Sequence, residues 1–212
     1  MFYALNAVPS APDARHRFWG PPGDARAVCR AQQYDRMLAL FIVLGGIFVE
    51  LWDVYNPERL KTGRTAIRGQ ALGDGEYHIV VHIWVVNSAG DFLIQKRAAC
   101  VQWAPSIWAT TGGSALVGED SAAACIRELY EEVGVDADMR NAEVAFTLRR
   151  EDSFCDVWVL RQDANLDRCR MQPEEVSAVK WVSAEEITNM VDKGEFFPYS
   201  YLEELFDRVH RG

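Results

Sequence analysis

The sequence has too little positive charge for a general nucleic-acid binder. Its 212 residues carry 22 Lys and Arg against 31 Asp and Glu, which gives a formal net charge of −9. An acidic chain binds DNA or RNA poorly in a sequence-independent manner, because the phosphate backbone repels it. Nucleic acid is therefore not an expected partner, and anions must be bound through local cations or metal ions.

Cysteine is sparse, and its spacing excludes paired-cysteine sites. The five cysteines are an odd number, and no two of them form a C-x-x-C pair. We therefore expect neither a disulfide framework nor a zinc knuckle. A reducing compartment fits this usage best, so the expected location is cytoplasmic.

An apolar run of membrane-spanning length is also missing, and the N-terminal part of the chain has an unusual composition. The longest run, Met37–Val49, is interrupted by two glycines and is shorter than the about 20 residues that a membrane helix needs. Residues 1–48 hold four of the eight prolines and no glutamate. We interpret 1–48 as a disordered or non-native extension and 49–212 as the folded domain.

The start of the native chain has two interpretations. The codons for Gly45-Gly46 can form a purine-rich ribosome-binding signal, and Val49 can be encoded by GTG, a bacterial start codon. The native protein would then begin at residue 49. The alternative is a genuine extension that docks through its apolar segment.

Beyond residue 49, the pattern predicts a single domain that mixes strands and helices. We expect a loop at 57–65 and a helix at 121–133, with Asp120 or Ser121 as N-cap and Gly134 after its end. Ser183 begins a capping box for a short helix, and a last helix is expected near 199–209. Strands are predicted at 51–56, 78–86, 91–97, 107–111, 142–150, 155–161 and 177–182.

The predicted helix at 121–133 carries three acidic residues on one face. At 100° per residue, Glu128, Glu131 and Glu132 lie within about 100° of each other. The small residues Ser121, Ala124 and Cys125 share that side and are expected to leave room for a ligand. The opposite face, expected to pack on the sheet, consists of Ile126, Leu129, Tyr130 and Val133.

Three crowded carboxylates repel one another unless a cation neutralises them. A hard divalent ion with oxygen ligands and retained waters is the simplest partner. Arg127 stands four residues before Glu131 and can orient it. Gly112 and Gly113 are expected in a turn whose backbone approaches a metal or phosphate closely. The alternative is a solvated acidic face with ordinary i, i+4 pairs.

The spacing of these residues resembles the signature of the Nudix hydrolase family. Residues 113–135 read G-x5-E-x7-R-E-U-x-E-E-x-G-U, with U aliphatic, and every position matches. The resemblance covers the chain from about residue 50 to its end. It implies an α+β Nudix fold, in which a mixed β-sheet lies between helices and the signature forms a loop–helix–loop. It also implies Mg²⁺- or Mn²⁺-dependent hydrolysis of a small-molecule diphosphate, such as a nucleoside diphosphate derivative.

By the same resemblance, the acidic helix supplies most of the site. The predicted metal ligands are Glu128, Glu131 and Glu132, with the backbone carbonyl of Gly113, or that of Gly112, as a further ligand. The predicted catalytic residues are Glu128 and Glu131, with Arg127 as orienting partner, while Glu119 supports the loop or binds a second metal through water. The base that takes the proton of the attacking water stays open. Besides Glu128, the candidates are Glu151, Glu174 and Glu175.

A closer similarity within the family concerns residues 76–98 and 103–113, which look like the isopentenyl-diphosphate-isomerase-like branch. Isomerases of that kind have a catalytic Cys before the first signature glycine and a metal-binding His two residues beyond the Cys. Those positions are Gly112 and Ser114 here. Isomerase chemistry therefore lacks its acid and one ligand, and hydrolysis is the favoured interpretation. A non-catalytic ligand-binding Nudix domain is the other alternative.

Candidate substrate-binding residues lie outside the signature. Lys96 and Arg97 end a predicted strand and can hold a diphosphate or serve only as surface charges. Trp103, in a predicted loop, can stack on a base or pack in the core. His78 occupies the position of a metal-binding His in the isomerases and is a candidate substrate-binding residue; the alternative is a hydrogen-bonded histidine of the core or the pocket wall. The aromatic stretch 196–201 caps a pocket, forms a homodimer patch or packs the last helix.

Overall fold

The apolar strand predicted at 78–86 forms the centre of a β-sheet that is covered by helices on both faces. The computed structural model describes residues 42–44 and 47–211. Its strands are β1 (Ile42–Leu44), β2 (Ile47–Val49), β3 (Leu51–Tyr55), β4 (Lys61–Ile67), β5 (His78–Val86), β6 (Phe92–Arg97), β7 (Trp108–Ala109), β8 (Thr111–Ser114), β9 (Ala142–Arg149), β10 (Ser153–Arg161) and β11 (Val176–Val182). Its α-helices are α1 (Ser121–Val133), α2 (Ala184–Asp192) and α3 (Leu202–Arg211).

The main sheet is mixed, as the resemblance predicts. Its strand order is β11-β6-β5-β10-β9, with β7 paired to β6 and β8 paired to β5. The pairing of β5 with β10 is parallel and runs from His78 opposite Ser153 to Val86 opposite Arg161. The other pairs in this sheet are antiparallel. Strands β5 and β6 pair only at Val86 and Phe92, so β7 and β8 lie between their diverging ends.

Alternation along β5 divides the core into two layers. Ile79, Val81 and their odd-numbered neighbours pack against α1 residues such as Leu129. Trp84 and Val86 face the opposite layer, where α2, α3 and the aromatic stretch 196–201 supply buried side chains. The prediction of a sheet between helices is therefore confirmed, and the aromatic stretch packs the last helices.

Residues 57–65, predicted as a loop, include the first part of strand β4. Strand β4 begins at Lys61 and pairs antiparallel with β3. Its side chains are mostly exposed. The prediction was wrong because an exposed strand shows no alternation of apolar and polar residues.

Gly112 and Gly113 lie inside strand β8, so the predicted turn is wrong. Gly112 is opposite His82 and Gly113 is opposite Val81 in an antiparallel pair. Glycine allows β8 to approach β5 closely, because a Cβ on Gly112 would come within 2.6 Å of the Val81 carbonyl oxygen. The chain changes partner at Thr110, whose hydroxyl donates to the carbonyl of Ile83.

The buried face of α1 differs from the predicted one. Ala124 and Cys125 are fully buried in the core and leave no open space. Tyr130 is 39% exposed, although it was expected to pack on the sheet. The small residues therefore bring the helix close to the sheet, and the acidic side chains lie at the edge of the contact.

The N-terminal prediction lies largely outside the described residues. The last part of 1–48 that the structure describes is a short antiparallel pair, β1 with β2. The division at residues 48 and 49 stays a prediction. Within residues 42–44 and 47–211, no helix is long and apolar enough to cross a membrane. Among the described residues, Cys100, Cys125, Cys155 and Cys169 are free thiols.

Candidate metal centre

Helix α1 is fixed at both ends by the residues that the sequence predicts. The side chain of Asp120 accepts a hydrogen bond from the Ala123 N–H at 2.8 Å, which is an N-cap. Gly134 has φ +70° and its N–H bonds the Leu129 and Tyr130 carbonyls, which ends the helix. The acidic residues between these caps therefore project at fixed heights along one edge of the helix.

Arg127 is the centre of a buried ion cluster. Its Nε and Nη2 donate to the two carboxylate oxygens of Glu119 at 2.8 and 3.0 Å. Its Nη1 donates to Glu128 at 2.9 Å and to Glu131 at 3.0 Å. The remaining Nη2 hydrogen goes to the carbonyl of Ser114 at 2.9 Å. All five N–H groups are used, so Arg127 orients carboxylates and has no donor left for a ligand.

Glu119 ties the loop before α1 to the same cluster. Besides binding Arg127, its Oε2 accepts the N–H of Leu116 at 2.9 Å. The predicted loop-supporting contact is present. Glu119 therefore links the backbone between β8 and α1 to the helix that carries the acidic residues.

The carboxylate of Glu128 lies directly over Gly113. A Cβ on Gly113 would be 2.0 Å from Glu128 Oε1 and 2.7 Å from Oε2. Any other residue at this position would displace the carboxylate. The Glu128 carboxylate can therefore occupy this position only because residue 113 has no side chain.

Glu132 is held by neutral groups. Its Oε2 accepts a hydrogen bond from Gln95 Nε2 at 2.8 Å and a longer one from the Gly112 N–H at 3.3 Å. Pairs in an antiparallel ladder alternate between those that exchange hydrogen bonds and those that do not. Since the Gly112 N–H points to Glu132, the Gly112–His82 pair is of the second kind. The backbone of Gly112 therefore faces out of the ladder, and that of Gly113 faces Val81.

Burial raises the pKa values of the three acidic residues of α1, Glu128, Glu131 and Glu132. It raises the pKa of Glu128 to about 7 and that of Glu132 to about 8. The pKa of Glu131 is also raised by burial, and the Arg127 charge opposes this. For Glu132, the charge of Glu128 adds to the effect of burial. Such a cluster favours a cation that stabilises the ionised carboxylates.

The donor set fits a hard divalent cation. It offers the oxygens of several carboxylates. In addition, Gln95 Oε1 is buried without a hydrogen-bond partner among the described residues. A buried acceptor of this kind normally bonds a donor such as an ordered water. In the described conformation, Glu128 and Glu131 point to Arg127, and no three acidic, His or Cys side chains of residues 49–211 form a closed cage. Mg²⁺ needs only one or two protein carboxylates besides water and substrate oxygens. The metal roles stay predictions.

The predicted substrate residues Lys96 and Arg97 are divided between the two faces of the sheet. Arg97 lies on the α1 face, where its Nε donates to the Trp103 carbonyl at 3.0 Å and its guanidinium covers the Trp103 ring at 5.1 Å. Trp103 is 55% exposed and contacts Phe197. Lys96 lines a cavity of about 450 Å³ with Trp108. Lys96 and Arg97 therefore have different neighbours, and their roles in substrate binding stay predictions.

His78 is buried rather than open to a ligand. Its ring stacks on Trp52 with centroids 3.9 Å apart and planes 4° apart. Strand alternation places it with His82 on the face opposite α1, since the odd-numbered residues of β5 pack against that helix. Burial lowers the pKa of His78, so the ring is neutral near pH 7.

The three later glutamates are placed differently relative to the acidic edge. Glu151 is exposed in the turn between β9 and β10, and Glu174 is exposed in the loop before β11. Glu175, half-buried in that loop, is close enough for its charge to raise the pKa of Glu132. This loop is fixed to α1, because the Gln172 N–H donates to the Glu132 carbonyl at 3.2 Å.

Sequence reasoning missed Gln95, Arg68 and Glu50. A signal for Gln95 existed, because a glutamine at an inward position of a buried strand needs a polar partner. Arg68 follows β4, and its Nη1 donates to the Glu50 carboxylate. No signal identified this pair, because the strand that places it was not recognised.

Comparison with known proteins identifies the family and the fold. The NUDIX domain family matches residues 76–205. An uncharacterised Nudix hydrolase of Listeria monocytogenes is 39% identical over 160 residues, which cover 75% of this chain and 95% of the relative. A crystal structure of the Deinococcus radiodurans protein DR0079 superposes with a TM-score of 0.61 at 24% identity and covers 76% of this chain and 99% of that one.

A bifunctional NMN adenylyltransferase/ADP ribose pyrophosphatase from Francisella tularensis, solved with AMP and an Mn ion, has the same fold. It superposes with a TM-score of 0.51 at 21% identity, over 66% of this chain and 43% of that one. The chain belongs to the Nudix family, and its fold and relatives are those of a Nudix pyrophosphohydrolase.

Proposed function

We propose that this protein hydrolyses a diphosphate linkage in a nucleoside diphosphate derivative or a similar organic diphosphate, using Mg²⁺ or Mn²⁺. The observation that carries the proposal is the convergence of Glu119, Glu128 and Glu131 on Arg127, with Glu132 beside them. An ordinary solvated acidic face would not bury an arginine at 6% side-chain exposure with every donor used.

The metal ligands proposed are Glu128, Glu131 and Glu132. A divalent ion bound there would neutralise the negative charge that develops on the phosphate oxygens. The chain itself holds the carboxylates in place: Arg127 orients Glu128 and Glu131, and Gln95 orients Glu132. Of the two carbonyls that the sequence offers as a further ligand, those of Gly112 and Gly113, the outward-facing backbone of Gly112 supports the first.

The proton of the attacking water needs a carboxylate within reach. Two of the candidates, Glu128 and Glu175, are supported by their positions. Glu128 lies in the ion cluster, and Glu175 is close enough for its charge to raise the pKa of Glu132. Glu151 and Glu174 have no described contact with the acidic edge. We propose Glu175 as the first variant to test for loss of the base, since Glu128 already has a role as ligand.

A panel of diphosphates with Mg²⁺ and Mn²⁺ tests the function. ADP-ribose and nucleoside diphosphates come first, since the Francisella relative is named as an ADP ribose pyrophosphatase. Release of monophosphates by the full chain, followed by ³¹P NMR, is the expected result. Glu132→Gln is expected to lower kcat/KM at least 100-fold, and Glu185→Gln on the exposed face of α2 is the matched control.

Two results would count against this function. Binding of Mn²⁺ and diphosphates without turnover would favour a non-catalytic ligand-binding domain. Deuterium exchange into isopentenyl diphosphate in D₂O, without hydrolysis, would favour the isomerase. Full activity of Glu132→Gln would refute the metal assignment.

A further inference from the structure

The acidic edge of α1 needs a positive group for the substrate phosphates. Besides Glu128, Glu131 and Glu132 on the helix, the carboxylates of Glu50, Glu119 and Glu175 are close enough to act on this edge. The guanidinium charges that lower the pKa of Glu128 are those of Arg127 and Arg68. A divalent ion offsets only part of this excess of negative charge. A diphosphate that approaches the metal therefore needs a further cation with free hydrogen-bond donors.

Arg127 cannot be that cation, because its five N–H groups are all used inside the cluster. Arg97 has its Nε on the Trp103 carbonyl and one face on the Trp103 ring. Lys96 faces the other side of the sheet. Neither Lys96 nor Arg97 has a described contact with the carboxylates of the acidic edge.

Arg68 lies at the end of the β3–β4 hairpin that adjoins the loop before α1. Its backbone N–H donates to the Glu50 carbonyl at 2.9 Å. This hydrogen bond extends the pairing of the two strands by one residue beyond the Leu51–Ile67 pair. The carbonyl of Leu51 accepts the Val117 N–H at 2.9 Å, so the hairpin is bound to the loop that carries Glu119. This chain of contacts places Arg68 beside the acidic edge.

The guanidinium of Arg68 retains unused donors. Glu50 is its sole side-chain hydrogen-bond partner among residues 49–211, and Nε and Nη2 bind no described group. The side chain is 54% exposed and that of Glu50 is 32% exposed. Its charge also acts on Glu128, where it lowers the pKa against the larger effect of burial. A surface ion pair of this kind is weak and exchanges readily for another anion.

We propose that Arg68 binds a phosphate group of the diphosphate substrate and exchanges its contact with Glu50 for that phosphate. The proposal rests on the proposed function and adds a substrate-binding residue to it. A planar guanidinium with two adjacent free donors matches two phosphate oxygens. The hairpin would thus supply the phosphate cation, and α1 would supply the carboxylates.

The test measures binding of methylenediphosphonate, a non-hydrolysable diphosphate, to the full chain with Mg²⁺ by calorimetry. Arg68→Ala is expected to weaken binding about 10- to 100-fold, the range of a charge-assisted hydrogen bond, and Arg68→Lys should lie between it and the wild type. Binding of Mn²⁺ alone, followed by electron paramagnetic resonance, should stay unchanged or tighten, because a nearby cation is removed. Arg64→Ala is the matched control, since Arg64 lies on the same hairpin and pairs with Glu76.

Glu50→Gln separates substrate binding from a role in fastening the hairpin. It breaks the same ion pair but leaves Arg68 charged, so methylenediphosphonate should bind as well as to the wild type or more tightly. If Glu50→Gln weakens binding as much as Arg68→Ala, the pair is structural and the proposal is wrong. Unchanged binding in Arg68→Ala, with hydrolysis still lost in Glu132→Gln, would overturn this proposal alone. A wild-type chain that binds no methylenediphosphonate would overturn it together with the proposed function.

Discussion

The Glu128 carboxylate occupies the space that a side chain on Gly113 would fill. The distance from an added Cβ to Glu128 Oε1 is 2.0 Å, well inside van der Waals contact. Gly113 belongs to strand β8 and Glu128 to helix α1, so the missing side chain allows the helix to place an acidic residue against the sheet. Sheet and helix are thereby joined at the residue proposed to bind metal.

Gly113→Ala should therefore displace Glu128 and lower kcat by at least 100-fold with Mg²⁺. The affinity for Mn²⁺, measured by electron paramagnetic resonance, should fall in parallel. Ser114→Ala is the control, because it lies on the same strand and keeps the carbonyl that accepts from Arg127. Wild-type activity in Gly113→Ala would show that the position of Glu128 is not required.

Arg127→Ala should unfold at markedly lower denaturant concentration. The substitution leaves Glu119 and Glu128 without their counter-charge, and removal of one partner from a buried ion cluster typically costs about 3–5 kcal/mol. Urea unfolding at pH 8 measures this change in the free energy of unfolding. The control, Arg211→Ala, removes an exposed pair with Asp207 and should change stability by less than about 0.5 kcal/mol. An equal effect of the two variants would contradict the central role of Arg127.

Gln95→Leu should weaken metal binding more than it weakens folding. Glu132 loses the 2.8 Å hydrogen bond that orients it, and loss of such a supporting contact typically lowers metal affinity about 10- to 100-fold. The substitution also removes the unpartnered Gln95 Oε1 from the interior, which offsets part of the lost hydrogen bond. Mn²⁺ titration and thermal unfolding of the same variant separate the two effects. Undiminished affinity for Mn²⁺ would mean that Gln95 does not position Glu132.

His82 should make the protein less stable as the pH falls below neutrality. Burial lowers the pKa of His82 to about 3, with a smaller contribution from the charge of Arg150. Its Nδ1 is hydrogen-bonded to the Tyr201 hydroxyl, and Tyr199 packs on its ring edge. The unfolded chain takes up a proton near pH 6.5 and the folded chain does not, so stability decreases between pH 6.5 and about 3.

Comparison with His82→Gln measures that contribution. Glutamine stays neutral and keeps a group that can bond Tyr201. Between pH 6 and pH 4, the wild type should lose about 2 kcal/mol more unfolding free energy than the variant. Urea denaturation at a series of pH values gives both curves. Parallel curves would show that His82 is protonated in the folded state.

Strong local signals in the sequence predicted α1 and β5 accurately. Helix α1 has an N-cap aspartate, a left-handed glycine after its end and a helical period, and it spans 121–133 as predicted. Strand β5 is a continuous apolar run from His78 to Val86 and was also found as predicted. These features depend on neighbours in the chain, so the sequence reveals them.

The errors concern features that depend on tertiary contacts. Strand β4 exists because it pairs with β3, and its mostly exposed residues carry no periodic signal. The glycines 112 and 113 indicated a turn, but they serve close approach to Val81 and Glu128 within a strand.

The attachment of the 169–175 loop to α1 has a consequence for the timing of the reaction. Arg170 packs against Gly134, where a Cβ would come within 2.5 Å of its backbone nitrogen, and Gln172 is bonded to the Glu132 carbonyl. These backbone contacts hold the loop that carries Glu175 against the helix. If Glu175 is the base, water activation needs no rearrangement of this loop, and we expect solvent viscosity to leave turnover unchanged.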